Sequence, residues 1–156
     1  MTIATLLLLA ATAGNGLLVG ASLDQSIKQL PARHRIGVVA FSRYSQAADL
    51  ANGIAWYAIL GIGTAALTVV AAISGLLDHP TAPKGIALCG AVGATLLHSF
   101  ATARAAPTSF RQRVLGEDER ALAELFDHFE RWQTFRVIWQ VAALIAVLAT
   151  VAQVHA

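Results

Sequence analysis

Thr95, His98 and Thr102 recur at i, i+3 and i+7 within a run of otherwise apolar residues. That spacing places all three on one face of a helix. Trp132, Arg136 and Gln140 follow each other at intervals of four, again close to one face, and Asp49, Asn52 and Trp56 obey the same rule. An imidazole held neutral among apolar neighbours acts as a general base or as a hydrogen-bond donor. If the faces point inward, His98, Asp24, Asn52, Tyr57, Thr102, Arg136 and Gln140 enclose a polar pocket with an apolar floor. Such a pocket suits an amphipathic ligand, aromatic or lipid-like. The structural alternative is that His98 bonds a neighbouring helix while Arg136 pairs with Asp24.

The elements that must position these residues follow from composition. Of 156 residues, 56% are hydrophobic and 13% charged, against about 45–50% and about 25% in a soluble domain. Mean hydropathy is +0.62. Disorder requires low hydrophobicity, and a disulfide scaffold requires more than the single Cys89. An integral membrane protein remains. Ile3–Ser22, Ile54–Leu77, Ile86–Ala103 and Phe135–Val154 each come close to the roughly 20 apolar residues that a spanning helix needs. None holds an acid or a lysine, and Arg136, at the start of the fourth, can snorkel to the interface. The expected fold is all-α: one four-span membrane bundle with helical extensions. The first stretch reads as a retained span rather than a signal peptide, because no basic residue precedes it.

Ten of the 11 basic residues fall in two connections, Ala21–Gly53 and Arg104–Arg136. The positive-inside rule makes those connections cytoplasmic and sets both termini outside, in the inner (plasma) membrane. The net charge of +2 is then a topological signal that points to the lipid bilayer and its anionic headgroups, not to nucleic acid. On this topology His98 lies about 8–9 Å inside the cytoplasmic end of its span. Gln140 lies at similar depth, Tyr57 slightly shallower, and Asp24 and Arg136 near the boundary.

Both long connections carry helical patterning. Past the first span the helix continues through Asp24 and Lys28, with Pro31 expected to break it. Arg33–Leu50 reads as an amphipathic helix, with a bend at Asn52-Gly53. Ala106-Pro107-Thr108 is expected to end the third span. Gly116 to Glu119 opens another helix that runs on into the fourth, with Leu122, Leu125, Phe126, Phe129 and Trp132 as its apolar stripe. Close packing within the bundle falls to small residues: Gly16 and Gly20 in a GxxxG pattern, Gly61 and Gly63, Gly90 and Gly93. A homodimer seam at Gly16 and Gly20 is the alternative use of that pattern.

Several chemistries lack their residues. Thiol redox needs paired cysteines. A bis-histidine haem needs two embedded histidines, yet His34, His79, His128 and His155 all fall outside the spans. A carboxylate-bridged di-iron site uses Glu-x-x-His, and Glu124 to His128 is one residue too long. No span interior holds the carboxylate of a proton-coupled exporter. No phosphate loop or hydrolase triad is present. No metal or cofactor is therefore expected.

Three features together resemble the anthrone-oxygenase-like family of small four-helix membrane proteins, most of unknown function. A small-residue first span runs into a polar extension, Gly16 to Pro31. The third span ends in a polar stretch with Ala-Pro, His98 to Thr108. Phe129-Glu130-Arg131-Trp132 and Arg136 precede the last span. The resemblance covers nearly the whole chain through loose motifs. It implies oxygenation of an aromatic substrate without cofactor, with His98 and Trp132 as the catalytic positions and Arg136 orienting an anionic or phenolic oxygen. A non-enzymatic membrane subunit, docking a partner through its cytoplasmic helices, is the competing reading.

Overall fold

A computed structural model describes residues 2–153. The chain is all-α, and among the described residues there is no strand. Helix α1 (Ile3–Asp24) passes through a π-helical turn (Gln25–Gln29) into α2 (Leu30–Ile36). Helix α3 (Val38–Ala47) leads through a second π-helical turn (Ala48–Asn52) into α4 (Gly53–Leu77). Helices α5 (Ala82–Leu115) and α6 (Glu119–Ala152) complete the chain. The runs Ile3–Ile36, Gly53–Leu77, Ala82–Leu115 and Glu119–Ala152 are long and apolar enough to cross a membrane. They form a ring in which α1 packs on α4 and α6, and α5 packs on α4 and most extensively on α6.

Helices α5 and α6 have 34 residues each, about 51 Å of rise. Both therefore overreach α4 at the end where the two basic connections lie. There α3 folds across the projecting helix ends. Leu30, Phe41, Ala105, Leu122, Leu125, Phe126 and Phe129 form a buried cluster, with Phe41 and Phe126 edge to face at 4.9 Å. Arg33 fastens this layer: its guanidinium donates to Asp127 Oδ1 at 2.9 Å and to Glu130 Oε2 at 2.5 Å. The expected Phe126–Phe129 stripe is thus a core, not an open face.

Both proline expectations need correction. The helix runs through Pro31, which follows directly on the π-helical turn, where the ladder of hydrogen bonds is already displaced from the α-helical pattern. The break comes at Gly37, whose φ of +85° suits glycine and strains other residues; the amphipathic helix accordingly begins at Val38. Pro107 lies inside α5, which continues to Leu115. Ala105 and Gln112 on either side are fully buried, so packing holds the helix across the lost bond. The Asn52-Gly53 bend is a π-helical turn. Asp118 caps α6, its carboxylate accepting from the Ala121 N–H at 3.0 Å. Helix α6 continues unbroken toward the C-terminus, as the acidic start and apolar stripe imply.

Small residues bring helices together at other places than the GxxxG pattern suggests. A Cβ at Gly14 would sit 2.7 Å from Thr64 Oγ1, and one at Gly75 would sit 3.0 Å from Leu88 Cδ1. Gly16 and Gly20 have nothing within 4 Å and point away from the bundle.

Candidate functional site

Between α4 and α5, in the half of the bundle nearest the basic connections, lies a cavity of about 900 Å³. The two helices touch at Gly75 and Leu88, near the turn that joins them, while Ile54 to Val70 of α4 and Thr95 to Phe110 of α5 line the cavity. Phe41 and Ser45 of α3 close its end. Leu18, Gln25, Arg136 and Gln140 of α1, the first π-helical turn and α6 contribute to its wall. Ile62, Val70 and Leu96 line it and are also exposed, so it opens sideways between α4 and α5. Most of the lining is aliphatic.

Its polar groups are concentrated and poorly paired. His98 is 3% exposed, and neither ring nitrogen has a hydrogen-bond partner among the described residues. The same holds for Gln140 Oε1, Thr95 Oγ1 and Arg136 Nε. Among the described residues Arg136 makes one bond, from Nη2 to Gln25 Oε1 at 2.9 Å. The π-helical turn is what turns Gln25 inward. Neither structural alternative is formed: His98 bonds no neighbouring helix, and Asp24 binds Lys28 at 2.5 Å and accepts from Gln29 at 2.6 Å, not from Arg136.

Asp49, on the second π-helical turn, also lines the cavity. Its carboxylate accepts from Ser45 Oγ at 2.9 Å. Ser45 Oγ accepts from Gln112 Nε2 at 3.2 Å, and Gln112 Oε1 accepts from Ser42 at 3.1 Å. Burial raises the Asp49 carboxyl above its ordinary value, against the opposing pull of the Ser45 hydroxyl and the Arg136 charge.

The cavity unites His98, Tyr57, Thr102, Arg136 and Gln140. Thr102 contributes little polarity, since its hydroxyl donates to the His98 carbonyl at 2.9 Å. Two expected residues stand apart. Asp24 is half-exposed and tied to Lys28. Trp132 lies outside the cavity, its ring against Phe100 at 5.9 Å and Phe135 at 6.1 Å, its Nε1 donating to His128 Nε2 at 3.1 Å, with the Arg104 guanidinium 5.8 Å from the ring centre. The Asn52 side chain and His155 lie outside the described residues. Thr95 and Asp49, which share the faces expected to point inward, also line the cavity, and Gln25 joins them without having been assigned to the site. Gln25 is a polar residue beside an apolar run, which is the signal that marks it. What hides Gln25 is that it stands at the start of a π-helical turn, off the faces that ideal spacing assigns.

The class defined by these features is an all-α bundle with four helices of membrane-spanning length and a laterally open, mostly apolar cavity. No protein-family model, curated protein or solved structure matches the chain.

Proposed function

We propose that the chain is a four-span protein of the inner (plasma) membrane, both termini outside, whose cavity faces the cytoplasmic half of the bilayer and binds a hydrophobic or aromatic small molecule. Membrane residence is supported by large aliphatic side chains left open on the spans: Leu17 is 59% exposed, Ile59 74%, Ile86 73% and Ile145 61%. In water such a surface would drive aggregation; in lipid it costs nothing. Orientation rests on the basic connections.

The observation that carries the ligand reading is the set of buried, unpaired polar atoms on the cavity wall. A buried polar group without a partner costs about 1–3 kcal/mol. His98, Gln140, Thr95 and Arg136 meet that condition around one hollow. A ligand oxygen or hydroxyl placed there relieves several such costs together.

The finer reading, carried by the family resemblance, is a cofactor-independent oxygenase. His98 would take a proton from an acidic ring carbon. Arg136 would hold the resulting enolate oxygen. Dioxygen would accept the electrons, leaving a new carbonyl on the substrate and water. Trp132 has no place in this scheme, because it does not reach the cavity.

The test is His98→Ala in the full-length protein, assayed against a ligand identified by mass spectrometry after detergent extraction. The expected result is loss of binding or turnover by a factor of about 10²–10⁴, with an unchanged chromatographic profile. Wild-type behaviour of this variant would sink the site assignment. The partner-docking alternative is disfavoured by the burial of Phe126 and Phe129.

A further inference from the structure

The two arginines that reach into the bundle from its basic end make an internal comparison. Arg33, whose side chain is 5% exposed, has two carboxylates, Asp127 and Glu130, on one nitrogen. That is the ordinary fate of a buried cation, since an unpaired charge removed from water is costly. Arg136 has none. Among the described residues no carboxylate comes within ion-pair distance of it, its single partner is the neutral amide of Gln25, and its Nε faces no acceptor. Among the described residues Asp49 is the one acid on the cavity wall; Arg136 feels its charge only from beyond ion-pair distance, and its carboxylate accepts from Ser45. Beside Arg136, His98 and Gln140 add further buried, unpartnered polar atoms.

The shape of the cavity speaks to the rest of the ligand. Along α4 it runs from Ile54 to Val70, about 24 Å at the helical rise. An extended chain fills that length; a compact ring system does not. Ala58, Gly61, Ala65 and Ala66 make the α4 wall thin, and a Cβ at Gly61 would meet nothing within 4 Å. The side opening between Ile62, Val70 and Leu96 faces the hydrocarbon if the helices span the bilayer.

We infer that the cavity holds a single-chain amphiphile with a carboxylate head, a long-chain fatty acid, taken sideways from the membrane, its oxyanion paired with Arg136 and its chain laid between α4 and α5. This narrows the ligand of the proposed function and rests on that reading. A carboxylate supplies the direct ion pair that Arg136 lacks, and its second oxygen is free for the His98 N–H or the Thr95 hydroxyl. A phospholipid phosphate shares the oxyanion chemistry but brings two chains and a bulky glycerol ester.

The experiment uses the full chain in phosphatidylcholine nanodiscs with a diazirine-bearing hexadecanoic acid, empty nanodiscs serving as blank. Saturable photolabelling of α4 and α5 peptides is expected, with hexadecanoate competing at least about tenfold better than hexadecanol, the margin set by one charge-assisted contact. Arg136→Gln should weaken labelling by about the same factor and erase the acid-over-alcohol preference. Gly61→Leu, which fills the groove without touching the head site, should weaken it comparably. Should Arg136→Gln fail to fold, the acid-against-alcohol competition and Gly61→Leu decide the matter. Equal competition by the alcohol overturns the carboxylate assignment, as does displacement by phosphatidylglycerol where hexadecanoate fails. Either result leaves the cavity a ligand site. Absence of saturable labelling by the diazirine acid, with His98-dependent binding of a tricyclic aromatic probe, overturns the inference alone. No saturable binding of either probe removes the proposed function as well.

Discussion

At the scale of single residues the molecule treats two buried arginines in opposite ways. Arg33 is a structural cation, held by Asp127 and Glu130, which are 59% and 42% exposed. Solvent screening on the acids reduces the value of each contact, so the pair together is worth about 1–2 kcal/mol. We predict that Arg33→Met lowers stability by that amount, read from thermal unfolding in detergent, while Asp127→Asn costs less because Glu130 remains. Loss of less than a few tenths by Arg33→Met would show that the clamp is idle. Arg136, His98 and Gln140 were all expected at the site from spacing within apolar runs, and the cavity unites them. Trp132 obeys the same spacing as Arg136 yet stacks outside, on Phe100 and Phe135. Periodicity assigns a face of a helix; only the neighbouring helices decide whether that face looks into a hollow or onto another ring.

At the scale of elements, the contacts of small residues were the least readable feature. The GxxxG pair Gly16 and Gly20 has the standard spacing for close helix approach, but the contact is made by Gly14 against Thr64. The rotation of α1 is set elsewhere: Asn15 Nδ2 donates to Thr68 Oγ1 at 2.9 Å, which turns Gly14 toward α4 and Gly16 outward. Gly14→Ala is therefore expected to destabilise by about 1–3 kcal/mol through overpacking, whereas Gly16→Ala and Gly20→Ala leave the monomer unchanged or slightly more stable, because glycine disfavours helix interiors. Thermal unfolding of the three variants in one detergent checks this, and the reverse order would mean that α1 is rotated from its place here. Two π-helical turns tell the same story. No composition rule announces them: the first carries α1 on into α2, and the second joins α3 to α4. They deliver Gln25 and Asp49 to the cavity.

At the scale of the whole molecule, the basic connections lie at one end and Lys84 with the Asp78–Gly85 turn at the other, beside Thr2 and Gln153. If the bundle spans the membrane as proposed, a cysteine placed at the exposed Glu119 in a Cys89→Ser background reacts with an impermeant maleimide only in opened cells. One placed at His79 reacts in intact cells. The opposite pattern would invert the topology and put the cavity in the outer half of the bilayer. The charge distribution that sets this prediction is visible in the chain without any structure.

The amino-acid sequence by itself determined that the protein is helical, where its four long apolar runs lie, which end gathers the basic residues and which polar side chains share a helical face. These are local properties, set by side-chain type and by the 3.6-residue period. The tertiary structure alone decided that Phe126 and Phe129 are core and that α5 survives Pro107. It also decided that α4 and α5 part to leave a cavity and that Arg136 reaches that cavity without a carboxylate. The physical reason is that each of these depends on the distance between surfaces remote in sequence, and no periodicity along one chain segment encodes what the opposite wall will offer.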